Sequence, residues 1–247
     1  MFFKLVFCVL LHVSLSKMLP PYIEKCSKSD PNLNQCLDRR ATDAAVKLRD
    51  GNKDLGIVPL EPFIITKVDL GNVTSGAVSI HQIYENMKLF GMTNSTMTDS
   101  DANFSGDQCY WKYTCLTPAV RMESDYSMKG RLLLFPINGY GKCTNYLYDI
   151  EGRYEATCER YTKKNKTFFR VSDFKFQMKP KRIVFDFENI IDGNEQLSKE
   201  VVKTLNENAE SVYEDVGPAF NEVMGTVWKQ TLNQVFNRVP EDELFLP

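Results

Sequence analysis

Histidine is almost missing from this chain. Only His12 and His81 occur among its 247 residues. Two imidazoles cannot supply the spaced ligands of a zinc site, and no H-E-x-x-H run exists. A Ser-His-Asp triad would have to use His81, and there is no G-x-S-x-G elbow to carry the serine. In "SIHQIY" His81 reads as a strand-surface residue. A glycine-rich phosphate loop is also lacking. The 32 acidic residues offer many carboxylate pairs for glycoside hydrolysis, but nothing marks one out. The sequence therefore predicts no enzyme, no metal and no cofactor. Excess charge of one sign is lacking too. Lys and Arg total 30 against the 32 acids, a net charge of −2, which removes the electrostatic case for nucleic-acid binding. No Lys/Arg run suggests a membrane-surface patch. After the N-terminus no stretch approaches the ~20 apolar residues of a spanning helix, so no stable membrane insertion is expected.

What is present begins with "MFFKLVFCVLLHVSLSK". An early Lys4, an apolar run from Leu5 to Val13, and small Ser14 and Ser16 before a plausible cut have the pattern of a secretory signal peptide. Residues 1–16 are assigned to that signal and 17–247 to the mature, extracellular chain. His12 and Cys8 leave with the signal. Six cysteines remain: Cys26, Cys36, Cys109, Cys115, Cys143 and Cys158. An even count in a secreted chain points to disulfides. Four sequons, at Asn72, Asn94, Asn103 and Asn165, fit an extracellular glycoprotein.

The hydrophobic fraction is 43% and the charged fraction 25%, as in ordinary globular proteins. "SDPNLNQCLDRRATDAAVKLRDG" carries start and stop signals for a helix over about 31–50. Residues 65 to about 188 read as antiparallel strands. A Lys129-Gly130 turn, a break at Gly139 and Gly141, a turn at "KKNK" and a hairpin about Lys179-Pro180-Lys181 punctuate them. Tyr146, Tyr148, Ile150, Tyr154, Ala156 and Cys158 share one parity, which predicts a long strand with a dry face. Ile183, Phe185 and Phe187 share a face in the same way. From Gln196 to Arg238 apolar residues recur at steps of three or four, the pattern of one very long helix that Pro218 should kink or split.

The remaining signal is a surplus of apolar surface, with 16 Phe, 11 Tyr and 9 Met. Residue types alone favour a core over a cavity. A hydrocarbon ligand with ~15 buried carbons could nevertheless gain on the order of 10 kcal/mol from burial, before the costs of binding.

Five ordered stretches turn that balance: "LPPYIEKCSKSDPNLNQCL", "LGIVPLEPFII", "SDYSMKGRLLLFPINGYGK", "FDFENIIDGNEQLSKEVVKTLNEN" and "NQVFNRVPEDELF". Together they resemble the insect takeout family, relatives of the haemolymph juvenile-hormone-binding proteins, across nearly the whole mature chain. The resemblance implies an α+β fold of tubular lipid-binding type: a long C-terminal helix wrapped by a strongly curved antiparallel sheet that encloses an apolar tunnel. It implies carriage of a hydrophobic small molecule, with juvenile hormone, other terpenoids or long-chain lipids as candidates. The Cys26–Cys36 pair matches the family's N-terminal disulfide. Among the other four, the Lys129-Gly130 hairpin puts position 115 nearly opposite 143. That favours Cys115–Cys143 and leaves Cys109–Cys158, while Cys109–Cys115 remains open if 109–115 is a tight loop. Tyr146, Tyr148 and Tyr154 are candidate anchors for a ligand's polar head, being apolar bodies with one hydroxyl. Phe185, Phe187, Phe220 and Trp228 are candidate tunnel walls. The alternative is a secreted signalling or interaction glycoprotein, acting through an unidentified receptor, whose apolar interior is only a core.

Overall fold

The computed structural model describes residues 17–106 and 108–246. The expected signal segment, 1–16, lies outside them. Helix α1 (Leu33–Lys47) comes first. The strands follow: β1 (Phe63–Ser75), β2 (Val78–Phe90), β3 (Thr96–Asn103), β4 (Gln108–Leu132), β5 (Phe135–Lys163) and β6 (Lys166–Val184). Three helices end the chain: α2 (Glu195–Glu207), α3 (Ala209–Phe236) and α4 (Glu241–Leu244).

The strands form one antiparallel sheet in the order β1-β2-β4-β5-β6, with β3 paired to β4. Helix α3 packs against both β6 and β1, which are the two ends of that order. The sheet must therefore curl around the helix, and its inner face meets the apolar side of α3. Val68, Met87, Val171, Val201 and Leu205 are almost wholly buried in the resulting core. This is the α+β, helix-wrapped arrangement expected above.

Several local expectations are corrected. The β4–β5 connection is the two-residue Leu133-Leu134 link, with Leu132 paired to Phe135, and not Lys129-Gly130. Gly130 lies within β4. A Cβ there would meet the Ser79 carbonyl oxygen of β2 at 2.1 Å, so the glycine marks a close strand approach rather than a turn. Likewise the chain does not break at Gly139: β5 runs through it, and a Cβ there would collide with Ile190 Cα at 2.6 Å. No hairpin forms about Pro180. β6 is continuous from Lys166 to Val184, and it is an edge strand, where a missing N–H is tolerated.

The turn shift settles the cysteines. Every β4–β5 pair moves, so that Cys115 faces Gly152, Cys143 faces Ser124 and Cys109 faces Cys158. The bridge Cys109–Cys158 forms, whereas Cys115–Cys143 does not, and both of those residues are free thiols. Cys26–Cys36 forms, with a Cα–Cα distance of 6.0 Å.

The C-terminal helix does divide in two, but at Asn208 rather than at Pro218. Asn208 has φ −118° and ψ 21°, outside helical values, while Pro218 sits inside α3. Pro218 and Glu214, whose carbonyl loses its helical partner, are both exposed. The helix therefore carries the proline on its wet side.

The parity of β5 also changes along its length. Asp149 has φ +48°, and after it the inward set switches from Asn145 and Leu147 to Ile150, Tyr154, Ala156 and Cys158. The same switch occurs on β4 between Thr117 and Val120, and on β6 between Met178 and Ile183. Pro118 and Pro180 lie along that line. The sheet turns a corner there without slipping register.

Candidate functional site

The curled sheet and α2–α3 enclose an apolar cavity of ≈ 70 Å³. Its walls come from β1, β2, β4, β5, β6 and the helices, and include Leu70, Ile80, Met122, Met128, Leu147 and Phe220. A second cavity of ≈ 40 Å³ lies beside it, and Met122, Leu147, Met178 and Phe220 line both. Strand alternation explains the lining: each strand offers alternate side chains inward, and the corner resets the phase so that apolar residues face inward on both sides of it.

The sequence candidates divide between the two faces. Phe185, Phe187 and Phe220 line the larger cavity. Tyr154, Trp228 and Phe220 line the smaller one. Trp228 stacks on Phe63 with ring centroids 5.1 Å apart, and its indole Nε1 is buried with no hydrogen-bond partner. Tyr154 stacks on Tyr113 at 4.8 Å, and burial holds both phenols well above their ordinary pKa. Tyr146 and Tyr148 line neither cavity. The switch at Asp149 places them on the outer face, where Arg182 covers the Tyr148 ring at 4.0 Å. Single-parity reading put them on the dry face because it carried one phase through a positive-φ residue. His81 is exposed on β2, 3.1 Å from Asp69 Oδ1. The Gly71 amide and then His81 hold the Asp69 carboxyl below its usual range.

The cavity's polar groups were not among the sequence candidates. Gln82, only 2% exposed, donates from Nε2 to the Tyr84 hydroxyl oxygen at 2.7 Å. Asn145, only 3% exposed, accepts from the Asp186 amide at 3.4 Å. All three line the larger cavity. Burial, with Cys143 and Tyr126 adding to it, keeps the Tyr84 phenol well above its ordinary pKa, so it is a neutral hydroxyl. Its oxygen already accepts from Gln82, and its proton remains available to donate. A signal existed: Ile80, Gln82 and Tyr84 share one parity in "SIHQIY", so an amide was due on a dry face. Asn145 gave no such signal, because it lies on the parity that the Asp149 switch turns inward.

Such an arrangement can desolvate an apolar chain and offer hydrogen bonds at one place. Among the described residues no group of three His, Cys, Asp or Glu side chains is arranged to hold a metal ion. Among those residues, too, no helix is long and apolar enough to cross a membrane.

Comparison with known proteins agrees with this architecture. The chain is 25% identical over 238 residues to the circadian clock-controlled protein daywake of Drosophila melanogaster, covering 94% of this chain and 90% of the relative. It is 24% identical over 243 residues to daywake of Drosophila yakuba, with the same coverage. The crystal structure of Epiphyas postvittana Takeout 1 superposes with a TM-score of 0.76 at 18% identity, covering 91% of this chain and all of that one, which places the two in one fold. The family model described as haemolymph juvenile hormone binding protein matches residues 5–246. With that match over nearly its whole length, the chain belongs to the haemolymph juvenile hormone binding protein family.

Proposed function

We propose that the protein is a secreted, non-enzymatic carrier of a lipophilic small molecule: juvenile hormone, another terpenoid or a long-chain lipid. The observation that carries this reading is the interior cavity, apolar over most of its wall and polar at Gln82, Tyr84 and Asn145. The hydrocarbon part of the ligand lies against Leu147, Phe185, Phe187 and Phe220, and the smaller cavity by Tyr154 and Trp228 receives its far end. Tyr84 donates to an oxygen of the head group. Ligand sites of this kind commonly measure ~300–1,000 Å³, so the lining must move to admit a ligand. Met122, Met128 and Met178 suit that role, since thioether chains have three rotatable bonds and repack readily.

In this reading residues 1–16 are a cleaved signal and 17–247 form one ligand-binding domain. Asn72, Asn94, Asn103 and Asn165, all exposed, are its glycosylation sites. A second reading, a secreted interaction glycoprotein whose interior is only a core, draws support from the small cavity volume. Titration with cis-parinaric acid, a fluorescent fatty acid, followed by displacement with unlabelled terpenoid esters and fatty acids, separates the two. The carrier reading expects saturable binding that lipophiles displace and polar metabolites do not. Absence of any saturable signal would favour the core reading.

A further inference from the structure

We propose that the ligand passes through the side of the molecule, between α3 and the edge strand β6, with Tyr213 as the door. This proposal rests on the carrier reading and adds the route that the ligand takes.

An open groove of ≈ 1080 Å³ runs between β6 and the helices α2 and α3. Met178, Ile183, Tyr213 and Gly217 line both this groove and the larger interior cavity. The partition between outside and inside is therefore one side chain thick there.

The way α3 is fastened to β6 makes this the place to open. As an edge strand, β6 presents unpaired backbone groups to the helix side. At one end Asn206 of α2 accepts from Phe185 N–H and donates to Phe185 C=O, at 2.7 and 2.8 Å. At the other end Asn233 of α3 does the same for Val171, at 2.9 and 3.1 Å, and Lys229 donates to Ser172 C=O. Each asparagine acts as a short piece of neighbouring strand. Between Ser172 and Phe185 one hydrogen bond ties helix to strand among the described residues: Tyr213 donates to Met178 C=O at 2.7 Å. The edge is buttoned at its ends and latched once in the middle.

The walls fit a movable flank. The strand wall carries Lys175, Lys179 and Lys181, and the helix wall Glu210, Glu214 and Glu222. No ion pair among the described residues joins the two walls; the groove's Arg153 pairs with Glu151 of its own strand, and Glu207 with Lys203 of its own helix. The helix segment that bears Tyr213 runs from the break at Asn208 to Pro218. Pro218 removes one backbone bond within α3. The stretch of α3 between Asn208 and the Lys229 tie, which includes Gly225, can thus bow away from β6 with Pro218 as its softest point. It pivots about Asp215, which accepts from the Ser75 hydroxyl and the Ala77 N–H at 2.8 and 3.1 Å on the opposite side, and the Tyr213 ring swings with it. Gly217 keeps the passage narrow-walled, since a Cβ there would press on the Tyr213 ring at 3.2 Å.

A staple tests this. A Cβ built on Gly225 lies 3.7 Å from Phe176 Cβ, within the range that a disulfide requires. The double variant Gly225→Cys/Phe176→Cys, with bridge formation verified by peptide mapping, would lock α3 to β6. Stopped-flow exchange of cis-parinaric acid is then measured before and after mild reduction, with the unmodified protein under the same reductant as control. Exchange is expected to be at least ~10-fold slower in the oxidised staple than in the reduced one, a barrier equivalent to about 1.4 kcal/mol. Tyr213→Phe, which removes the latch but keeps the ring, should speed exchange about 2- to 10-fold, the weight of one neutral hydrogen bond. It should raise association and dissociation rates together, whereas a lost ligand contact would raise dissociation alone. Unchanged exchange in both variants, alongside faster exchange in Cys26→Ser/Cys36→Ser, would overturn the side route in favour of the tunnel end while leaving the carrier reading intact. No saturable binding by the unmodified protein would overturn the carrier reading itself.

Discussion

The partnership between β6 and the C-terminal segment is built differently at the start of the strand and in its middle. Around Phe169, near the start of β6, everything is fastened. Phe169 is fully buried against Phe104, Phe236 and Phe245, and the Cys109–Cys158 bridge lies in the same cluster. Glu241 of α4, only 8% exposed, takes Arg160 and Lys28 together. The last residues are tied back to the N-terminal disulfide, since Leu246 N–H donates to Cys26 C=O at 2.9 Å. Around Met178, farther along the same strand, there is one side-chain hydrogen bond and an open groove. The contrast shows how one strand can serve two purposes. Dense aromatic and covalent ties hold the sheet's shape, and a sparsely tied stretch leaves a flank that can part. Stability and exchange should therefore respond to different residues.

The sharpest way to break that contrast is at the fastened end. Phe169→Ala should cost about 3–5 kcal/mol of unfolding free energy, because a fully buried ring leaves a cavity among rings that cannot collapse. Denaturant titration reads this. If the contrast holds, cis-parinaric acid exchange changes little where the variant is folded. Removing the Cys26–Cys36 bridge, whose sequence separation is 10, should cost about 3 kcal/mol by the chain-entropy relation. Thermal unfolding of Cys26→Ser/Cys36→Ser measures that loss. At the button that bounds the loose flank, Asn206→Leu strips partners from the Phe185 N–H and C=O and should cost about 1–3 kcal/mol. Unlike Phe169→Ala, it should also quicken exchange, since it undoes one of the end buttons.

The smallest effect concerns pH. Burial pushes the Cys115 and Cys143 thiols from 9.0 up to about 12. The folded chain then holds these protons more tightly than the unfolded chain. Their contribution is fully present below pH 9 and is lost as pH rises from there towards 12. Cys115→Ala should flatten the fall in stability over that window, and the buried Cys143 thiol should resist iodoacetamide at neutral pH more than the half-buried Cys115 does. Fast alkylation of Cys143 in the folded protein would contradict its burial.

Much of the fold was legible because it rests on periodicity and on ordered motifs. The helix over 31–50 is present as Leu33–Lys47, the "KKNK" turn closes β5 onto β6, and the long C-terminal pattern is helical. The misreadings share one cause: local signals were overruled by non-local contacts. Lys129-Gly130 has the composition of a turn, but Gly130 is required by the closeness of Ser79 on another strand. Moving the turn to Leu133-Leu134 moves the residue opposite Cys115 from Cys143 to Gly152, nine residues along β5, and so removes its expected partner. Tyr146 and Tyr148 were assigned inward because alternation was extended through Asp149, whose left-handed backbone only the three-strand corner explains. Apolar walls such as Phe185, Phe187 and Phe220 were legible, since Phe on an inward phase has few other places to go. The polar trio was half legible: Gln82 stands out on its parity, whereas Asn145 needed the corner to be known.

The central claim is that the interior holds a lipophilic molecule, and it can be tested directly. The full chain would be secreted from cultured insect cells, purified from the medium, and its organic extract quantified by mass spectrometry against protein concentration. The account expects close to one equivalent of lipophile per chain, lost or sharply reduced when Leu147→Glu places a carboxylate in the cavity wall of a still-folded variant. Repeated extracts free of any lipophile, together with no displaceable binding of cis-parinaric acid, would contradict it.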